Sequence, residues 1–92
     1  GQGLDLSLPQ GESQAVQKEP DLIVRFEAGG DIFLGERVVA LDELGYELEG
    51  QLKERKNKLV VLEPDKNTHF DLFTRVLDLA RKSGAKDFAI VR

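Results

Sequence analysis

The most constraining feature of this 92-residue chain is the order of signals between Leu59 and Val91. Leu59-Val60-Val61-Leu62 is an unbroken apolar run of the kind found in central strands, and Pro64, which lacks the N–H a ladder needs, ends it. Phe70, Phe73, Val76, Leu77 and Ala80 then recur at helical spacing, with Gly84 offering a left-handed stop. Phe88-Ala89-Ile90-Val91 is a second apolar run. A strand, a helix and a strand this close in sequence imply a parallel pair joined by a right-handed crossover. The helix must cover one face of that pair.

The preceding segment supplies the rest of a sheet. Leu22-Ile23-Val24-Arg25-Phe26-Glu27 is rich in strand formers, Ala28-Gly29-Gly30-Asp31 signals a turn, and Ile32-Phe33-Leu34 follows as the second arm of a hairpin. Gly35-Glu36 marks another turn, and Arg37-Val38-Val39 is a short third extended piece. Leu41, Leu44, Leu48 and Leu52 share one helical face. Asp42 and Glu43 fall in the first turn and Lys53, Arg55 and Lys56 near the end, both favourable to the helix dipole. Gly45 and Gly50 each cost this helix about 1 kcal/mol relative to alanine, so burial of the leucine face must compensate, and glycine also allows close packing on the sheet. The expected fold is α+β, a two-layer sandwich with two helices on one face of a small mixed β-sheet, in the order β-β-α-β-α-β. Thr68-His69-Phe70-Asp71 has capping-box spacing, which would start the second helix at Thr68. No internal repeat is present.

The chain divides near Pro20. Residues 21–92 read as one folded domain. Residues 1–20, rich in Gly, Gln, Ser, Glu and Pro, read as a flexible tether. Within the tether, Leu4-Asp5-Leu6-Ser7-Leu8-Pro9 alternates leucine with small polar residues, the pattern of an extended segment with one apolar face. Such a segment can add to a sheet edge, in its own chain or in a twin subunit. Gly1-Gln2-Gly3 reads as a non-native leader, so a natural chain would begin earlier and leave room for a membrane segment upstream. No run here approaches the roughly 18–20 apolar residues that span a bilayer.

Function classes narrow by chemistry. A net charge of −4 argues against nucleic acid and against anionic membrane surfaces as partners. The absence of cysteine excludes thiolate metal sites, disulfides and a cysteine nucleophile. His69 is the single histidine and has no second histidine or placed nucleophile to work with. It reads as a polar residue of the first helical turn, not as a general base oriented by Asp71. Gly29-Gly30 joins two strands and is no phosphate loop. Arg75, Arg81, Lys82 and Lys86 gather around the second helix and read as a solvated face. Neither a catalytic group nor a cofactor or metal site is indicated. A small mixed sheet does have two edges, and unpaired edges attract strands. The expectation is a domain that binds other chains.

The whole order resembles the periplasmic domain of the ExbD/TolR family of biopolymer-transport proteins. Leu4-Asp5-Leu6-Ser7-Leu8-Pro9 is similar to the family's Leu-Asp-hydrophobic-Pro segment, with Ser7 as an insertion. The stretch from Leu59 to Val91 is similar to the family's apolar strand, Ala-Asp-Lys turn, Gly-ended helix and final strand. Pro64 stands in place of the alanine before Asp65-Lys66, and Phe70 in place of a tyrosine. Ile32-Phe33-Leu34-Gly35 looks closer to ExbD than to TolR. The resemblance implies an accessory subunit with one upstream transmembrane helix in the bacterial inner membrane, seated in an ExbB-like channel. Its periplasmic domain would form a homodimer and engage a TonB-like protein to energise outer-membrane transport. The TolR side of the family implies binding to peptidoglycan and support of envelope integrity. On this basis Leu4, Asp5, Leu6, Leu8, Pro9, Asp65, Lys66, Phe70, Ile90 and Val91 are the candidate partner-binding and coupling residues.

Overall fold

A computed structural model describes residues 19–92. The elements run β1 (Leu22–Phe26), β2 (Ile32–Leu34), β3 (Arg37–Val39), α1 (Leu41–Leu52), β4 (Leu59–Glu63), α2 (Phe70–Lys82) and β5 (Asp87–Ile90). They form one five-stranded sheet in the order β3-β2-β1-β4-β5. β1–β2 and β2–β3 are antiparallel, while β1–β4 and β4–β5 are parallel. The α+β sandwich expected from the apolar pattern is the one found. The third extended piece is a true edge strand.

Register explains the core. Leu22, Val60 and Phe88 are cross-strand neighbours, as are Val24 with Leu34 and Leu62, and Phe26 with Ile32. These positions alternate with more exposed ones along β1 and β2, so one face of the sheet is buried. Leu44, Leu48 and Leu52 of α1 and Val76 and Ala80 of α2 close over it. Phe26 and Phe73 meet with ring centroids 5.8 Å apart. Each fully buried leucine removed to alanine would cost about 2–5 kcal/mol. On the other face Arg25 lies 4.5 Å over the Phe33 ring and pairs with Glu27 at 2.6 Å.

The two helices meet at Gly45. A Cβ there would lie 3.3 Å from a Leu79 methyl and 3.7 Å from Ser83 Oγ, and the Ser83 hydroxyl donates to the Gly45 carbonyl at 3.0 Å. The glycine in mid-helix is thus repaid by close approach. Gly84, at φ +117°, ends α2 as expected: Ala85 N–H donates to the Ala80 carbonyl and Gly84 N–H to that of Arg81.

Two local expectations are corrected. α1 stops at Leu52, so Lys53, Arg55 and Lys56 lie beyond its last turn. Arg55 instead donates to the Pro20 carbonyl at 2.6 Å, and Lys58 Nζ donates to the Leu52 carbonyl. The capping box at Thr68 does not form either. Thr68 Oγ1 accepts the Asp65 N–H at 2.8 Å, and α2 starts one residue later, behind His69. A threonine near a turn has two local backbone partners, and here the turn wins.

Candidate strand-binding edge

β5 lies at one border of the sheet, and no described strand pairs with its outer side. Its backbone orientation follows from three bonds. Lys86 and Asp87 N–H both donate to the Lys58 carbonyl, and Val91 N–H donates to that of Leu62 at 2.9 Å. Amides facing one neighbour alternate along a strand. Asp87, Ala89 and Val91 therefore face β4, while the N–H and C=O groups of Phe88 and Ile90 point outward. The edge offers a partner two residues' worth of donors and acceptors.

Side chains add an apolar border. Among the described residues Phe70 is 75% exposed, Ile90 53% and Val91 49%, all large hydrophobics. The sequence also placed Phe70 in the buried stripe of α2, and that expectation is overturned. Only the residues around Val76 and Ala80 point fully inward, and Phe70 sits well around the helix from them. α2 runs back antiparallel to β4 and β5, which brings its first residue to the end of the sheet where Ile90 and Val91 lie. Helical periodicity puts Phe70 and Leu77 on the flank of α2 opposite Leu79 and Ser83, which face α1, and strand register puts Phe88 and Ile90 on the helix-covered face of β5. Leu77 and Phe88 were not singled out from sequence, although their places in the α2 stripe and the last strand carried the signal.

Asp65 and Lys66 occupy the β4–α2 turn at that same end. Asp65 Oδ2 accepts the Asn67 N–H at 2.9 Å, and the Asp65 carbonyl accepts the Thr68 N–H at 2.9 Å. Asp65 is thereby a turn builder that fixes where α2 begins. Lys66 is solvent-exposed beside it. A shallow cleft of about 350 Å³ lies between Arg25, Glu27, Glu63, Asp65, Val91 and Arg92. Leu4, Asp5, Leu6, Leu8 and Pro9 lie outside the described residues.

The arrangement offers hydrogen-bonding backbone and apolar cover, and no convergent set of reactive groups. Among the described residues no cluster of three or more histidine and carboxylate side chains is placed to hold a metal, and no helix is long and apolar enough to cross a membrane.

Comparison with known proteins decides the family. The model of the ExbD/TolR biopolymer transport proteins matches residues 1–92. The chain belongs to the ExbD/TolR family. It is 24% identical over 88 residues to "Biopolymer transport protein exbD2" of Vibrio cholerae serotype O1, covering 96% of this chain and 66% of that relative. The chain thus spans slightly less than two thirds of that ExbD protein's length, and the likeness sits on the ExbD side of the family, as the Ile32-Phe33-Leu34-Gly35 segment suggested.

Proposed function

We propose that this domain is the periplasmic output end of an ExbD-like accessory subunit, and that it binds an extended segment of a TonB-like partner by strand addition to β5. The single observation that carries the reading is the β5 edge. Outward backbone groups at Phe88 and Ile90 lie beside exposed apolar side chains, including Ile90 and Phe70. Backbone pairing supplies affinity in such a mode, and pockets for alternate side chains supply selectivity. Family membership and likeness to an ExbD protein support the biopolymer-transport role over a peptidoglycan-binding, TolR-like one.

In this reading an upstream transmembrane helix seats the subunit in an ExbB-like channel of the inner membrane, and two copies pair in the periplasm. Residues 1–20 tether the domain to the membrane part. The Leu4–Pro9 segment competes for sheet edges or releases them, which couples events in the membrane to partner capture. Catalysis has no part in it.

The test is titration of the ¹⁵N-labelled chain with peptides from the periplasmic linker of a TonB-type protein. Amide shifts centred on residues 87–92 are expected. Absence of any shift at millimolar peptide would sink the proposal.

A further inference from the structure

The helices cover one face of the sheet, and the other face is not built as a solvated one. Leu59-Val60-Val61-Leu62 is apolar on both sides, the signature of a strand covered twice. Only Val60 and Leu62 join the helix-side core. Val61 pairs in register with Ile23 on β1 and Ala89 on β5, and all three take the face without helices. Ile23 and Ala89 are half-buried there, and Val61 is only 8% exposed. Gly35 N–H donates to the Ile23 carbonyl at 3.0 Å, which sets a glycine at the β2 end of the same row, and a Cβ on it would meet nothing within 4 Å. Gly35, Ile23, Val61 and Ala89 thus make a low apolar row across four strands. Phe33 and Val38 lie one row farther along, and Leu59 one row nearer the start of β4.

The occupant follows from where the chain enters and from charge. Glu19 accepts the Lys56 and Asn57 N–H groups and Arg55 donates to the Pro20 carbonyl, so the chain arrives at the start of β1, the central strand, just before Ile23. Residues 9–18 are ten residues and reach up to about 33 Å, enough to lay residues 4–8 anywhere on this face. In an extended segment Leu4, Leu6 and Leu8 share one side over about 13 Å, and a row of four strands is about 14 Å wide. Asp5 and Ser7 then face water. A second copy of the chain fits worse. Glu63 and Asp87 flank the row on this face by their register with Arg25 and Leu59, and Arg25 is already paired with Glu27 at 2.6 Å. Two such faces laid together gather carboxylates from both copies around an arginine that is engaged.

We infer that this row is the seat of the chain's own Leu4-Asp5-Leu6-Ser7-Leu8 segment, laid across the strands with its leucines on Ile23, Val61 and Ala89. Apolar faces of extended chains that pack crosswise meet in this way. The proposed function above has the segment release a sheet edge, and the face is where it then goes; in that respect the inference rests on that reading. A segment held on the face leaves the outward N–H and C=O groups of Phe88 and Ile90 open to a partner.

The chain has no cysteine, so Ser7→Cys gives a single site for a nitroxide on the water side of the segment. The readout is loss of amide signal in the ¹⁵N-labelled full chain, relative to the same chain with the label reduced. Loss is expected to centre on Ile23, Val61 and Ala89, and to be far smaller at Leu44 and Leu48 of α1, which lie behind the sheet. Each of Leu4→Ser, Leu6→Ser and Leu8→Ser should lower the docked-to-free ratio about fivefold, as removal of a half-covered leucine does. Loss centred on β3 or β5 and fading toward β1 would put the segment at an edge and overturn the seat. So would a pattern that is the same with leucines and with serines. Loss that appears in ¹⁵N chain without the label, mixed with unlabelled chain that carries it, would assign the row to a second copy and overturn the seat within the chain. None of these outcomes decides strand addition by a partner at β5, which the peptide titration tests separately.

Discussion

The two borders of the sheet are built from different materials. The β3 border is three residues long and antiparallel to its neighbour, and it is tied down by an ion pair from Arg37 to Glu47 of α1 at 2.8 Å. The β5 border is parallel to its neighbour and, among the described residues, carries no comparable ion pair. Each border shows an exposed apolar side chain, Val38 on β3 and Ile90 on β5, and at the β5 end Val91 and Phe70 are exposed as well. A very short edge strand with a charged, tied-down side chain discourages pairing, whereas a longer edge flanked by several exposed apolar side chains invites it. A five-stranded sheet cannot avoid two ends; what differs is the chemistry at each. That difference is the ground for proposing strand addition at β5 and not at β3.

The largest expected effect separates the two sides of β5 itself. Ala89 N–H faces the buried Val60, so Ala89→Pro breaks a ladder bond inside the sheet. A loss of about 2–3 kcal/mol in urea unfolding is expected. Ile90→Pro removes an outward donor and should cost well under half of that while abolishing shifts on peptide addition. If the two prolines are equally destabilising, the alternation assigned to β5 is wrong. Next in size is Phe70→Ser, which should leave the unfolding midpoint nearly unchanged and weaken partner-peptide binding about tenfold, as loss of an apolar anchor does. An unchanged affinity would remove Phe70 from the edge. The smallest effect belongs to the other border. Arg37→Gln breaks an exposed pair and should lower stability by about 0.5 kcal/mol at most, with no change in peptide affinity. A measurable affinity change would mean that both borders take part.

Much of this fold is legible in the sequence because burial and periodicity agree. Leu59–Leu62 reads as a central strand and is one. Leu44, Leu48 and Leu52 announce the inner face of α1, and Gly84 announces the end of α2. What resists reading is local competition and azimuth. Thr68 offered itself as a cap, but the Asp65 turn used its hydroxyl. Arg55 and Lys56 looked like dipole-stabilising ends of α1, yet the helix had already stopped, and Arg55 reaches the Pro20 carbonyl instead. Phe70 and Phe73 are three residues apart in one apolar stripe, and spacing alone does not say which sits at its edge. Only tertiary placement, with Phe73 against Phe26 and Phe70 in solvent, separates a core residue from an anchor. The candidate edge was half visible for the same reason. Ile90 and Val91 could be named, whereas the contribution of Leu77 and Phe88 depended on knowing which flank of α2 faces outward.

One feature at the far end of the molecule bears on mechanics. Glu19 accepts the N–H groups of Lys56 and Asn57, and Arg55 grips the Pro20 carbonyl, so the chain reaches the domain as a fastened lead into β1. β1 is the middle strand, bonded to β2 on one side and β4 on the other. A pull applied through Pro20 along the strand axis loads both ladders together, in shear. Hydrogen bonds lying across such a pull yield collectively, whereas a strand peeled from an edge gives way one bond at a time. A domain wired in this manner can bear tension at its root, and if a strand is added at β5 as proposed, peeling it from that border would take less force than unfolding the domain through β1.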